Sequence, residues 1–335
     1  MPALPKFFIN NSVVMISSRM EEGLYLVPTA FVNRIIRSVL ATAQTRHPVD
    51  LIAFVVQPNH LHLILRVLIP ENVPQFVGYV KQELAHRINR LLGRRKRTIW
   101  ARGYDSPVIL DKAKTLTQIV YVMLNPVGDD IVAEAELYPG VSSFQMFESQ
   151  VFTKESIYIP RNEVPKLKNP AAPWRETAQI TAHFDRLAQG PSVIEVTLTL
   201  SPYAWRHCFT ETEALSEQEA REMMQKALIE GRAKIEEQRK ESKKTSFQPP
   251  SELVRRSMIT AYLPKKFGKR MLCHSSVKDL RVVFIACIKR AFAEARLIFK
   301  EWGKGVYINP FPPGFFLPGR APMASIASIA LLIAP

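Results

Sequence analysis

The chain has 335 residues, of which 47% are apolar and 22% charged, an ordinary balance for a globular protein and enough length for about two domains. Its formal net charge of +15 is unusual for an enzyme of small metabolites. It points to a polyanionic partner, nucleic acid first and an anionic membrane surface second, or equally to a merely basic protein. The three cysteines, Cys208, Cys273 and Cys287, are too few and too scattered for a disulfide framework, which suits a reducing cytoplasm. Met1 to Lys6 lacks the apolar run of a secretory signal.

Ser12 to Met20, with Val13, Val14, Met15 and Ile16, reads as a first strand. Pro28 opens a helical pattern through Phe31, Ile35, Ile36, Val39 and Leu40 that ends near His47 and Pro48. Leu51 to Val56 is a second strand, Pro58-Asn59 a turn, and Leu61 to Val67 a third strand. Pro70-Glu71-Asn72 starts a second helix with apolar positions Val73, Phe76, Val77, Val80, Leu84, Ile88 and Leu91, and Gly93 stops it. Ser106 to Leu110 is a fourth strand. Asp111 then caps a helix from about Lys114 to Leu124, which Pro126 terminates.

The first six elements follow the split βαβ order. The expected fold is therefore α+β, a ferredoxin-like antiparallel sheet with helices, followed by a mainly helical C-terminal region. The division expected is an N-terminal domain over 1–150, a linker over 151–175 and an accessory region over 176–335. The linker reading rests on the Pro-, Lys- and Asn-rich run from Pro160 to Pro173. In the accessory region Ser192 to Leu200 alternates as a strand would. Ser216 to Lys244 is a charged helix with a narrow apolar stripe, and Val277 to Trp302 is a further helix. The apolar tail from Met323 to Pro335 is too short to cross a bilayer, and no membrane partner is expected.

His60-Leu61-His62 sets two imidazoles i, i+2 in a β-favouring run, so both project from one face of a strand. Tyr121 and Asn125 lie i, i+4 near the end of a helix, on one face. Each has a bland account: histidines satisfied by backbone or water, a core tyrosine with a bonded tip, an asparagine that ends a helix before Pro126. Together they suggest more. Imidazole nitrogens and an amide oxygen suit a divalent ion with open positions, and a phenol needs positioning and activation to act as a nucleophile.

The stretches Pro58-Asn59-His60-Leu61-His62 and Tyr121-Val122-Met123-Leu124-Asn125-Pro126-Val127 resemble those of the single-tyrosine HUH transposases, most closely the REP-associated tyrosine transposase branch. The resemblance covers about residues 5 to 150. It implies a ferredoxin-like catalytic domain in which His60, His62 and Asn125 bind Mg²⁺ or Mn²⁺ and Tyr121 attacks DNA. The implied activity is a metal-dependent transposase or nickase that cuts single-stranded, hairpin-adjacent DNA through a 5′-phosphotyrosine. One departure is plain: where relatives carry Trp-Gln, this chain has Trp100-Ala101, which bears on DNA contacts more than on chemistry.

Arg87, Arg90, Arg94, Arg95, Lys96 and Arg97 form the densest basic cluster, beside Trp100, Arg102 and Tyr104. Cations neutralise phosphates and aromatic faces stack unpaired bases, so these nine residues are the expected DNA contacts, against the plainer account of a solvated helix end. Pro264 to Arg270 is a second basic run. A zinc site from His207-Cys208 and Cys273-His274 is disfavoured, because adjacent ligands fit one tetrahedral ion poorly. Two rival readings remain: a host-retained DNA-binding protein on the same fold without strand transfer, and an RNA-binding protein with vestigial ligands. Whether the protein is a homodimer is left open.

Overall fold

The computed structural model describes residues 6–21, 23–95, 98–101, 103–243, 246–261, 271–306, 310, 312 and 314. Lys96, Arg97 and Arg102, the basic run 264–270 and the tail 323–335 lie outside the described residues.

In chain order the elements are β1 (Val13–Arg19), α1 (Ala30–Arg46), β2 (Asp50–Val56), β3 (His60–Arg66), α2 (Asn72–Leu91), β4 (Val108–Ile109), α3 (Lys112–Met123) and α4 (Asn125–Gly128). There follow α5 (Phe144–Ser149), β5 (Thr153–Ile157), α6 (Thr177–Ala188), β6 (Glu195–Thr199), α7 (Glu217–Glu241), α8 (Pro250–Val254), β7 (Cys273–His274) and α9 (Lys278–Trp302). The main sheet has the order β2-β3-β1-β4-β7. Its first four strands pair antiparallel in the ferredoxin-like arrangement read from the sequence. The fifth is an addition: β7 pairs parallel with β4 and extends the sheet at an edge that would otherwise be open.

Period-two alternation divides the sheet between two cores. Leu61, Leu63 and Leu65 of β3, with Val14 and Ile16 of β1, pack in the core that holds α1 and α2. Val13, Met15 and Ile64 face the opposite core, formed by α3 and α7. A bulge between Leu51 and Ala53 in β2 places both Ile52 and Ala53 in that second core. His60 and His62 share the parity of Ile64. They therefore belong to the face that α3 crosses.

Several boundaries differ from the sequence reading for local reasons. Thr29, rather than Pro28, caps α1 by accepting from the Val32 N–H. Asp111 caps α3 as expected, through the Lys114 N–H at 2.8 Å. Pro126 does not end the helical path: α3 breaks at Leu124 and Pro126 occupies the first turn of α4, where its missing N–H costs nothing. The fourth strand shortens to two residues but continues as a bridge between Ser17 and Asp105. The stretch 151–175, expected as a linker, includes β5, which pairs antiparallel with β6.

The charged helix α7 is held by a capping box, with Ser216 and Glu219 exchanging side-chain and backbone bonds. Its narrow stripe, Ala220, Met224 and Leu228, is buried in the second core beside Val120 and Leu124. Farther along, Arg239 donates to Val127 O at 2.6 Å, Val132 O at 2.9 Å and Ala133 O at 2.7 Å. It thereby ties α7 to carbonyls of α4 and of the segment that follows it. This helix buttresses both α3 and the turn that follows it.

At Gly231 α7 packs closely on α3: a Cβ there would lie 2.4 Å from Val120 Cγ1. Gly231→Ala should gain up to about 1 kcal/mol of helix propensity and lose about 1–3 kcal/mol to overpacking. The expected net result is a lower urea midpoint. An unchanged or higher midpoint would show that the two helices do not pack this closely.

Candidate active site

The site is assembled from a hairpin tip, a cross-strand neighbour and the broken helix. Pro58-Asn59 form the tip, closed by the Gln57 N–H donating to His60 O at 2.8 Å. The tip is tied down by Leu26 N–H to Pro58 O at 2.7 Å and Met20 N–H to Asn59 O at 2.8 Å. In the β1–β3 register Ser17 stands opposite His62 and Arg19 opposite His60. The two imidazoles are edge to face, with ring centroids 4.7 Å apart, and the Tyr121 ring meets His62 at 5.4 Å.

His60 Nδ1 lies 2.7 Å from Asn59 Oδ1, and its Nε2 lies 2.9 Å from Asn125 Oδ1. Asn125 Oδ1 also accepts from Gln57 Nε2 at 2.8 Å. His62 Nδ1 is 2.7 Å from Ser17 Oγ, and Asp129 Oδ2 stands 3.9 Å from His60 Nε2. The sequence-predicted residues His60, His62, Tyr121 and Asn125 are therefore brought together. Ser17, Arg19, Gln57 and Asp129 join them unforeseen.

These contacts test whether a cation fits. Both partners of His60 are amide oxygens, which only accept, while a neutral imidazole carries one N–H. Burial pushes the His60 pKa down, the Asn125 bond and the Asp129 charge raising it and Arg19 lowering it further, so the neutral ring is favoured. With Nδ1–H on Asn59, the Nε2 lone pair faces Asn125 Oδ1, an arrangement satisfied by a shared cation. His62 is held well below its ordinary pKa by burial, then by the charges of His60 and Arg19. Gln57 Oε1 is buried without a hydrogen-bond partner, leaving an unused oxygen beside this pair. The donor set is two imidazoles and an amide; among the described residues no cluster of three His, Cys, Asp or Glu side chains could hold a metal.

Tyr121 is 45% exposed and opens into a cavity of about 970 Å³ shared with the imidazoles, Gln118, Asp129 and Arg19. Its pKa is raised by partial burial and by Asp129, against lowering by the Asn125 hydrogen bond and by Arg19. The neutral phenol is therefore favoured at rest.

The expected DNA contacts separate into groups. Arg87 is 1% exposed and is spent inside the protein: it pairs with Glu83 and donates to Ile159 O at 2.9 Å. Trp100 is 5% exposed, packs in the first core and donates to Lys81 O at 2.7 Å, so its faces are not stacking platforms. Arg90 anchors the 160s through Val164 O and Asn162 O, each at 2.7 Å, and Arg94 pairs with Glu21. Arg95 is exposed at the end of α2. Tyr104 lines the cavity, with Lys6 Nζ 2.7 Å from its ring centroid and Lys81 Nζ 5.7 Å away. Burial and mutual repulsion push Lys6 down to about 7, and burial pushes Lys81 to about 8. The signal for Arg87 was present in the sequence: Glu83 lies i−4 to it on the same helix.

Residues 26–123 match the family model described as Transposase IS200 like. That stretch is similar to the IS200-like transposases. Tyr121 falls inside the matched span and Asn125 just beyond it. A solved structure of a REP-associated tyrosine transposase bound to a REP hairpin is 16% identical, covering 45% of this chain and 87% of its own, with a TM-score of 0.40. A crystal structure of a candidate transposase from Deinococcus radiodurans R1 is 20% identical, covering 37% of this chain and 97% of its own, with a TM-score of 0.26. No curated protein matches the chain. Among the described residues no helix is long and apolar enough to cross a membrane.

The buried Glu83 gives a stability prediction. Burial alone would raise its carboxyl pKa, but hydrogen bonds from Arg161 and Arg87 and their charges outweigh this and lower it. Its stabilising contribution is complete above the unfolded value of about 4.3 and is lost as pH falls through the lower folded value. Glu83→Ala should cost about 3–5 kcal/mol near neutral pH, because Arg87 is left buried without its partner. Urea unfolding at pH 7 and pH 3 checks this: the gap between wild type and variant should narrow at the acidic value.

Proposed function

We propose that the IS200-like domain cuts single-stranded DNA with Tyr121 as nucleophile, next to a hairpin as the family resemblance implies. The observation that carries this reading is the convergence of Tyr121, His60 and His62 on one solvent-open cavity, with the buried Asn125 Oδ1 2.9 Å from His60 Nε2. The match over residues 26–123 and the net charge of +15 support it from outside the site.

Tyr121 Oη attacks the phosphorus and the bond from phosphorus to the 3′ oxygen breaks. The products are a 5′-phosphotyrosine and a free 3′-hydroxyl. The phenol gives up a proton and the departing oxygen takes one up, so charge balances. The reverse attack by a 3′-hydroxyl rejoins strands. His60, His62 and Asn125 would hold Mg²⁺ or Mn²⁺, and such an ion supplies positive charge that polarises the phosphodiester and stabilises the transition state. Asn59 and Ser17 fix the ring orientations, and Asn125 sits one helical turn from the phenol. Nucleophile and ligands are thus held in fixed relation, which lowers the entropic part of the barrier. Arg19 places a second positive charge beside the imidazoles, where the attacked phosphate would sit.

Incubation with labelled hairpin-flanked single-stranded DNA and Mn²⁺ should give a covalent adduct on a denaturing gel. The adduct should disappear in Tyr121→Phe and on chelation of the metal. Tight binding without an adduct would favour the DNA-binding reading, and a preference for RNA at equal salt would favour the third. Ser17→Ala should weaken Mn²⁺ binding by about tenfold in calorimetry, since loss of an outer hydrogen bond to a ligating histidine typically costs 10–100-fold. Undiminished Mn²⁺ affinity would remove His62 from the ligand set.

A further inference from the structure

The family match ends at residue 123, yet the cavity around His60, His62 and Tyr121 is walled in part by Arg256, Met271 and His274. This wall is tied by backbone bonds to the loop before α1 on one side and to the sheet at β4 on the other. Tyr25 N–H donates to Met258 O at 3.0 Å, Thr260 N–H donates to Gly23 O at 3.0 Å, and Leu24 bridges Ile259. On the other side Val108 N–H donates to Leu272 O at 3.1 Å and Leu110 N–H to His274 O at 2.9 Å. Met258 and Cys273 are buried, so the attachment has an apolar footing as well.

Within the wall, Arg256 is exposed at the cavity while its neighbour Arg255 turns to the ring of Trp174. The Arg256 guanidinium donates to Tyr25 Oη at 2.7 Å and lies 5.5 Å from the centre of that ring, and it also donates to Gln248. Tyr25 lines the same cavity and lies in the loop just before α1. A guanidinium has five donors in a fixed plane. The bonds to Tyr25 and Gln248 fix that plane and leave donors for an anion. The cavity therefore carries two guanidinium groups, Arg19 beside the imidazoles and Arg256 from the wall.

We propose that the C-terminal wall forms part of the strand-binding cleft, with Arg256 contacting a DNA phosphate and Tyr25 acting as its positioning residue. The inference rests on the reading that this cavity takes single-stranded DNA. It assigns to part of the accessory region a direct role in gripping the strand. The bland alternative is that the Arg256–Tyr25 pair only docks the wall.

The test is binding of a fluorescein-labelled single-stranded oligonucleotide, followed by anisotropy at several salt concentrations without divalent metal, in Tyr121→Phe protein. Each phosphate contact on a single strand contributes about 0.7 to the slope of log affinity against log salt. Arg256→Gln should lower that slope by about this amount and weaken binding several-fold. Arg256→Lys should keep the slope, and Tyr25→Phe, which retains the charge, should keep it with a small loss of affinity. An unchanged slope in Arg256→Gln overturns the proposal. So does an equal loss in Arg256→Lys, which would point to displacement of the wall rather than loss of charge. Binding by the parent without an adduct from wild type removes the enzyme reading and leaves the wall intact; an adduct with an unaltered slope does the reverse. Absence of binding removes both.

Discussion

Strand β3 has apolar cores on both sides and can occupy only one register. Leu61, Leu63 and Leu65 fill one core while Ile64 fills the other, and a slip of one residue would exchange every side chain between them. The same constraint sends His60 and His62 toward α3 and sets Ser17 and Arg19 beside them. The site's geometry is thus a by-product of burial. Nothing at the site has to hold the strand in place, so its polar groups remain available for a ligand.

The two histidines and the Tyr121–Asn125 pair were legible because each depends on a short period: two in a strand, four in a helix. The ferredoxin-like order was legible for a similar reason, since its six elements follow one another with clear punctuation. What stayed hidden depends on pairing across the chain. Ser17 and Arg19 become neighbours of the histidines only through the β1–β3 register. β5 has no clear alternation, with Thr153, Lys154 and Glu155 exposed, and is a strand because β6 pairs with it. β7 is two residues long and could not have been read from its own composition.

Counting charges located a basic region but not its free cations. Arg87 sits in that region by sequence and in the interior by structure, because Glu83 and Arg161 complete a buried network around it. Trp100 likewise serves packing. The cationic character near the cavity comes partly from residues far apart in sequence: Lys6, Arg19, Lys81 and Arg256. Desolvation shifts two of them, Lys6 and Lys81, toward neutrality near pH 7. Net charge therefore overstates the field presented to a strand, while placement decides where it acts.

The addition of β7 to the edge of β4 has a consequence for synthesis on the ribosome. The sheet is nearly complete once β4 emerges, but its outer edge stays unpaired until residues 273 and 274 arrive. Throughout that interval the nascent chain presents an open hydrogen-bonding edge, and one sheet face still awaits α7. A polypeptide halted near residue 150 would keep both, which makes it a substrate for chaperones and a seed for edge-to-edge association rather than a self-sufficient domain.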